Sequence, residues 1–159
     1  MKFLRLSWQN IEKLAKKLSK KIIKKNFKPD VLVGLSRGGL VPLRLLSDFL
    51  EVKKVAVIQV QLYKKIAQKS RKPKILQPLA ISIKNKKILV VDDVCDSGTT
   101  LKFVKNYLKK RGANEIFFAT LHLKPTADFI PDFYASTTSK WIIYPWEKEE
   151  IKKEKHTKT

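Results

Sequence analysis

The sequence predicts an α/β protein with a mostly parallel sheet flanked by helices. Three observations carry this. Short apolar runs at 30–35, 55–60, 87–92 and 115–121 alternate with segments of helical period. The runs are apolar at nearly every position, as strands buried on both faces are. The most apolar run, 87–92, leads into an acid pair and a Ser-Gly-Thr-Thr turn, at the strand end where open α/β sheets bind ligands.

In chain order, Ile11, Leu14, Ala15, Leu18 and Ile22 recur at helical spacing with lysines between them. This predicts an amphipathic helix over 8–25, with Ser7 as its N-cap and Asn26 and Pro29 ending it. The run at 30–35 is a strand that passes into Ser-Arg-Gly-Gly. Leu40, Leu43, Leu46 and Leu50 mark a second helix over 39–50. Residues 55–60 form the next strand. Residues 62–78 are rich in Lys and Arg with little apolar pattern, which predicts a mobile loop. A strand at 87–92, a helix at 98–110 and a strand at 115–121 follow. Residues 132–146 are aromatic and β-leaning and read as a separate small lobe, in which Trp8 also packs. The tail, 148–159, is lysine-rich and reads as fraying.

The chain has 159 residues, 43% hydrophobic and 31% charged, which fits one compact domain rather than a disordered chain. No apolar run reaches the roughly 18–20 residues of a membrane span. The start, Met1 to Leu6, is too short for the apolar part of a signal peptide. The single cysteine, Cys95, excludes an internal disulfide, so a cytoplasmic location is expected. Lys plus Arg number 35 against 14 acidic residues, a formal net charge of +21. Such a surface suits a polyanion (nucleic acid, a membrane surface or a phosphorylated substrate), and it is also what a lysine-rich composition gives without any partner.

The segment 92–100 combines Asp92, Asp93 and Asp96 with Ser97-Gly98-Thr99-Thr100. The turn's backbone N–H groups and the following helix N-terminus favour an anion, and the three hydroxyls add donors. Gly98 lets the backbone approach a phosphate closely. Asp92 and Asp93 suit sugar hydroxyls, directly or through hydrated magnesium. A phosphorylated sugar with a diol needs both features. The segment is neither a P-loop nor a Gly-x-Gly-x-x-Gly loop. A bland alternative is a solvated turn with an N-cap Asp. Cys95 does not read as a nucleophile, because three neighbouring carboxylates disfavour its thiolate. His122 reads as structural, and no structural metal site is evident.

Here the sequence resembles type I phosphoribosyltransferases, and most closely the small xanthine-guanine and archaeal-type purine enzymes. Three blocks in the family's order carry the resemblance: Ser36-Arg37-Gly38-Gly39-Leu40-Val41-Pro42, the 92–100 signature, and Leu123-Lys124-Pro125 followed by Trp141-Ile142-Ile143-Tyr144-Pro145-Trp146-Glu147. It spans roughly residues 7–147 and excludes the tail. It implies the type I phosphoribosyltransferase fold: one domain over 1–147, with a small hood lobe from the N-terminal segment and about 123–147.

The activity implied is purine salvage: transfer of 5-phosphoribose from phosphoribosyl diphosphate to a 6-oxopurine (guanine, xanthine or hypoxanthine), releasing diphosphate, with Mg²⁺. Ser36, Arg37 and Gly38 would bind diphosphate, and Arg37 is a permanently charged bidentate donor. Asp92, Asp93, Asp96, Ser97, Gly98, Thr99 and Thr100 would hold the phosphoribosyl group, with Asp92 and Asp93 towards the metal. Asp96 would accept the base's proton, and it could equally cap the 98–110 helix. Lys124 would donate to the 6-oxo group, Trp141 would stack on the base and Ile142 would meet its 2-substituent through its backbone. Tyr144 and Trp146 read as aromatic packing. Tyr63 and the basic stretch 64–74 match in position the family's closing loop. A homo-oligomer, dimer or tetramer, is usual in the family. Two other readings stay open: a nucleic-acid-binding regulator on the same fold, and a transferase for another base.

Overall fold

The computed structural model describes residues 2–64 and 71–151. Its main sheet has six strands in the order β4-β3-β2-β5-β6-β7. These are β2 (Val31–Ser36), β3 (Val55–Lys64), β4 (Arg71–Gln77), β5 (Lys87–Cys95), β6 (Glu115–Leu123) and β7 (Phe133–Thr137). Every pairing is parallel except β3 with β4. A separate two-stranded parallel pair joins β1 (Phe3–Arg5) to β8 (Trp141–Ile143).

Helices cover both faces. Along β2 the side chains alternate: Leu32 packs with Ile11, Ala15, Leu18 and Ile22 of α1 (Trp8–Lys24) and with Leu43 and Leu46 of α2 (Leu40–Phe49). Val31, Val33 and Leu35 pack with Leu101, Val104 and Leu108 of α3 (Thr99–Lys110). Leu89 and Val91 of β5 join the first core, and Ile88 and Val90 join the second. This two-sided burial is why the central strands read as continuous apolar runs. Each fully buried Leu, Ile or Val contributes roughly 1.5–3 kcal/mol.

The start of α1 follows the expected cap. Ser7 Oγ accepts from Asn10 N–H, and Asn10 Oδ1 accepts from Ser7 N–H at 2.9 Å. Lys21 and Lys24 sit in the last turn, where the helix dipole favours cations. Asn26 takes a positive φ of 56° just beyond.

Two expectations change. Strand β3 runs on to Lys64, and 71–77 is a strand paired antiparallel with it, so the hairpin replaces most of the loop expected over 62–78. Backbone pairing with β3 stabilises β4 despite its charge. As the sheet's edge strand it turns Lys72, Lys74 and Leu76 to solvent and Pro73 and Ile75 partly inward, and edge positions tolerate Lys and Pro. The part of the proposed closing loop at 65–70 lies outside the described residues. The second change concerns 132–146. Phe133–Thr137 stands on the rim of the main sheet, in register with β6, rather than in a separate lobe. Only Trp141–Ile143 leaves the sheet, to pair with β1. Beyond the short 3₁₀ turn Pro145–Glu147, residues 148–151 form a helical turn where fraying was expected. Residues 152–159 lie outside the described residues.

Candidate active site

Strands β2 and β5 lie side by side, with Gly34 opposite Val91. Their carboxyl ends therefore deliver Ser36-Arg37-Gly38 and Asp92-Asp93 to one place. The contact is tight. A Cβ on Gly38 would stand 2.3 Å from Asp93 Oδ2 and 2.5 Å from its Cγ, so the carboxylate lies directly on the Gly38 backbone. The Ser36–Arg37 peptide is cis.

The two acids are held by their own backbone. Asp93 N–H donates to Asp92 Oδ1 at 2.9 Å, and Val94 N–H donates to Asp93 Oδ1 at 2.7 Å. Asp93 is buried and Asp92 half-buried. Burial and then the neighbouring Asp93 charge push Asp92 well above the ordinary carboxylate range. Burial raises Asp93 to about 6; the Glu147 charge adds to this and the Val94 N–H opposes it.

Beyond the acids the chain makes a turn. Gly98 has φ 84° and is the residue before α3, so it takes the capping position offered to Asp96, which is exposed. A side chain at Gly98 would also meet Phe129 Cβ at 2.5 Å. Thr99 N–H donates to Ser97 Oγ, and Asp128 N–H donates to Ser97 O at 3.0 Å. The turn opens on a cavity of about 370 Å³ whose lining includes Ser97, Gly98, Thr99, Lys102 and Asn106. Thr100 stands half-buried in the first turn of α3. Cys95 is buried beneath the acids, its Sγ against Phe129 O, and burial with the Asp92 and Asp96 charges pushes its thiol up to about 11. A buried thiol raised in this way is a poor nucleophile.

Arg37 is exposed and its Nη2 pairs with Glu150 Oε1 of the helical turn 148–151, at 2.5 Å. Lys124 is anchored by its own N–H to Cys95 O at 2.9 Å, and its ammonium donates to the carbonyl of Lys140. That carbonyl adjoins Trp141, which is 57% exposed and free to present its ring, while Ile142 is buried. Lys124 and Trp141 are thus neighbours although 17 positions apart in sequence.

Tyr144, read in sequence as aromatic packing, does more. It is 2% exposed and stacks on Trp146, with ring centroids 4.7 Å apart and 6° between planes. Its hydroxyl donates to Asp93 O at 3.0 Å and meets His122 Nδ1 at 2.9 Å. Its N–H donates to Glu147 Oε2. No sequence signal links residues 144, 122 and 93; the pairing of β5 with β6 and the return of the chain under β8 bring them together.

Among the described residues no three His, Cys, Asp or Glu side chains cluster to hold a metal. The hard oxygens of Asp92 and Asp93 fit the other mode, in which hydrated magnesium takes one or two carboxylates and completes its shell from substrate.

A mostly parallel sheet in this order, with an acid pair and an anion-binding turn at its carboxyl edge, is the architecture of a type I phosphoribosyltransferase. The chain belongs to that family: the phosphoribosyl transferase domain profile matches residues 6–152. It is 32% identical to a xanthine-guanine phosphoribosyltransferase of Cereibacter sphaeroides, over 73% of this chain and 68% of that protein. It is 28% identical to xanthine phosphoribosyltransferase 1 of Saccharomyces cerevisiae, over 96% and 92%. The crystal structure of a purine phosphoribosyltransferase from Pyrococcus horikoshii superposes with a TM-score of 0.82 at 39% identity, covering 92% of this chain and 94% of that one.

Proposed function

We propose that the chain transfers 5-phosphoribose from phosphoribosyl diphosphate to a 6-oxopurine base, as the names of its xanthine-, guanine- and hypoxanthine-using relatives suggest. The observation that carries this reading is the Asp93 carboxylate lying on Gly38, which joins the diphosphate loop to the ribose acids.

The 97–100 turn binds the 5-phosphate through backbone N–H groups and hydroxyls. Asp92 and Asp93 accept hydrogen bonds from the ribose hydroxyls and would hold the magnesium, directly or through its water. When bound, that ion neutralises charge on the diphosphate. Ser36, Arg37 and Gly38 stabilise the departing diphosphate, where Arg37 supplies charge as the glycosidic bond breaks. Lys124 donates to the 6-oxo group, Trp141 stacks on the purine and the Ile142 backbone meets its 2-position. Asp96, an exposed carboxylate, accepts the proton of the attacking imidazole nitrogen. Holding both reactants in line is itself worth several kcal/mol.

The pairing of β1 with β8 supports a hood built from both ends of a domain over 1–147. We further propose a homo-oligomer, dimer or tetramer. No described helix is long and apolar enough to cross a membrane. The reading is tested by following diphosphate release with phosphorus NMR. Release that requires both Mg²⁺ and a 6-oxopurine supports it; release that is indifferent to the base counts against it.

A further inference from the structure

We infer that Tyr144 is a positioning residue of the transfer site, because its hydroxyl fixes the peptide plane that grips the Asp93 carboxylate. The inference rests on the reading of Asp93 as a ribose-binding acid.

The carbonyl of Asp93 and the N–H of Val94 belong to one peptide unit, which is planar and rigid. Tyr144 Oη donates to the carbonyl end at 3.0 Å. The amide end donates to Asp93 Oδ1 at 2.7 Å. Holding one end of the plane aims the other. A hydrogen bond to the carbonyl also polarises the amide and strengthens the bond it donates. The carboxylate aimed in this way is the one lying on Gly38.

The hydroxyl itself is firmly seated. Tyrosine has one O–H proton, and here it goes to Asp93 O, an atom that can only accept. The contact with His122 Nδ1 must therefore run the other way, with Nδ1–H donating to Tyr144 Oη. Burial and the nearby Lys124 charge hold His122 down to about 4, so near neutrality it carries one ring proton, and the geometry assigns it to Nδ1. The ring is fixed by its stack on Trp146 and the backbone by Glu147. A phenylalanine would fill the same space, so packing alone does not account for the hydroxyl. Tyr144 lies three residues after Trp141 and two after Ile142, yet its hydroxyl acts on the ribose side, at Asp93 O.

The test compares wild type with Tyr144→Phe and Asp93→Asn. Four readouts are taken: kcat, KM for each substrate, calorimetric affinity for phosphoribosyl diphosphate without magnesium, and thermal midpoint. For Tyr144→Phe the expected result is a loss on the phosphoribosyl side alone. Affinity for phosphoribosyl diphosphate falls about tenfold, the scale of one lost buried hydrogen bond, and kcat falls with it. KM for the base stays within about twofold on the same scale. Equal losses for both substrates, or no loss beyond about twofold, would overturn the inference. An Asp93→Asn variant of undiminished activity would instead sink the reading of Asp93 on which it rests. Long-range proton–nitrogen spectra of His122 in wild type decide the point without any variant. A proton on Nδ1 is expected, and a proton on Nε2 overturns the relay.

Discussion

The carboxylate of Asp93 fills the space that a side chain on residue 38 would need, with Oδ2 2.3 Å from the Cβ position of Gly38. Two blocks 55 residues apart in sequence are thereby made one surface. Gly38→Ala must push the acid or the loop aside. A displacement near 1 Å is enough to cost on the order of 100-fold in rate. Steady-state kcat/KM on Gly38→Ala should show that loss with the fold intact by circular dichroism; activity within threefold of wild type would contradict the contact's importance.

Asp93 and His122 make opposed contributions to stability against pH. Asp93 is raised from an ordinary 3.8 to about 6, so the folded state binds the extra proton between those values. Its contribution is fully present below 3.8 and is lost as pH rises through 6. His122 is lowered from 6.5 to about 4, so its contribution is present above 6.5 and is lost as pH falls through 4. Over this shared window the two oppose each other, and Asp92, raised by burial and by the Asp93 charge, acts in the same direction as Asp93. Relative to wild type, Asp93→Asn should fare worse towards acid and His122→Asn better. Thermal melts of the three proteins check the signs, and parallel curves would refute the assignment.

Glu150 pairs with the guanidinium of Arg37, the group proposed to meet the diphosphate. The pair is exposed, so it contributes only about 0.2–1 kcal/mol and is screened by salt. Glu150→Gln should lower KM for phosphoribosyl diphosphate by at most about fivefold at low ionic strength, with the advantage gone in high salt. A raised KM in the variant would show instead that Glu150 supports the loop.

Lys124 is held beside Trp141 by its bond to the Lys140 carbonyl. A lost charged hydrogen bond to a 6-oxo group costs about 1.5–3 kcal/mol, or roughly 10- to 150-fold in discrimination. Lys124→Ala should erase most of the preference for 6-oxopurines over adenine. An unchanged preference would remove Lys124 from base selection.

Much of this was legible in the sequence because it rests on local rules. Two-sided burial made β2 and β5 continuous apolar runs, and the helical spacing of Ile11, Ala15, Leu18 and Ile22 marked α1. The acid pair and turn followed a strand and opened a helix, which placed them at the carboxyl edge. The rest depended on contacts distant in sequence. Strand β4 carries lysines and a proline, and only its pairing with β3 makes it a strand. Phe133–Thr137 reads as an aromatic β segment whether it joins the main sheet or leaves it; its register with β6 decides. Tyr144 looked like packing because nothing in its neighbourhood announces a bond to Asp93, 51 residues away. The bland alternative for Asp96, a helix cap, is taken instead by Gly98 with its positive φ, two residues on.

The central claim is transfer of phosphoribose to a 6-oxopurine. It is tested most directly by offering the protein phosphoribosyl diphosphate, Mg²⁺ and an equimolar mixture of guanine, xanthine, hypoxanthine and adenine, and separating the nucleotides formed. Monophosphates of one or more 6-oxopurines are expected, with adenosine monophosphate at least about tenfold scarcer. Adenosine monophosphate as the main product, or no nucleotide from any of the four bases, would contradict it.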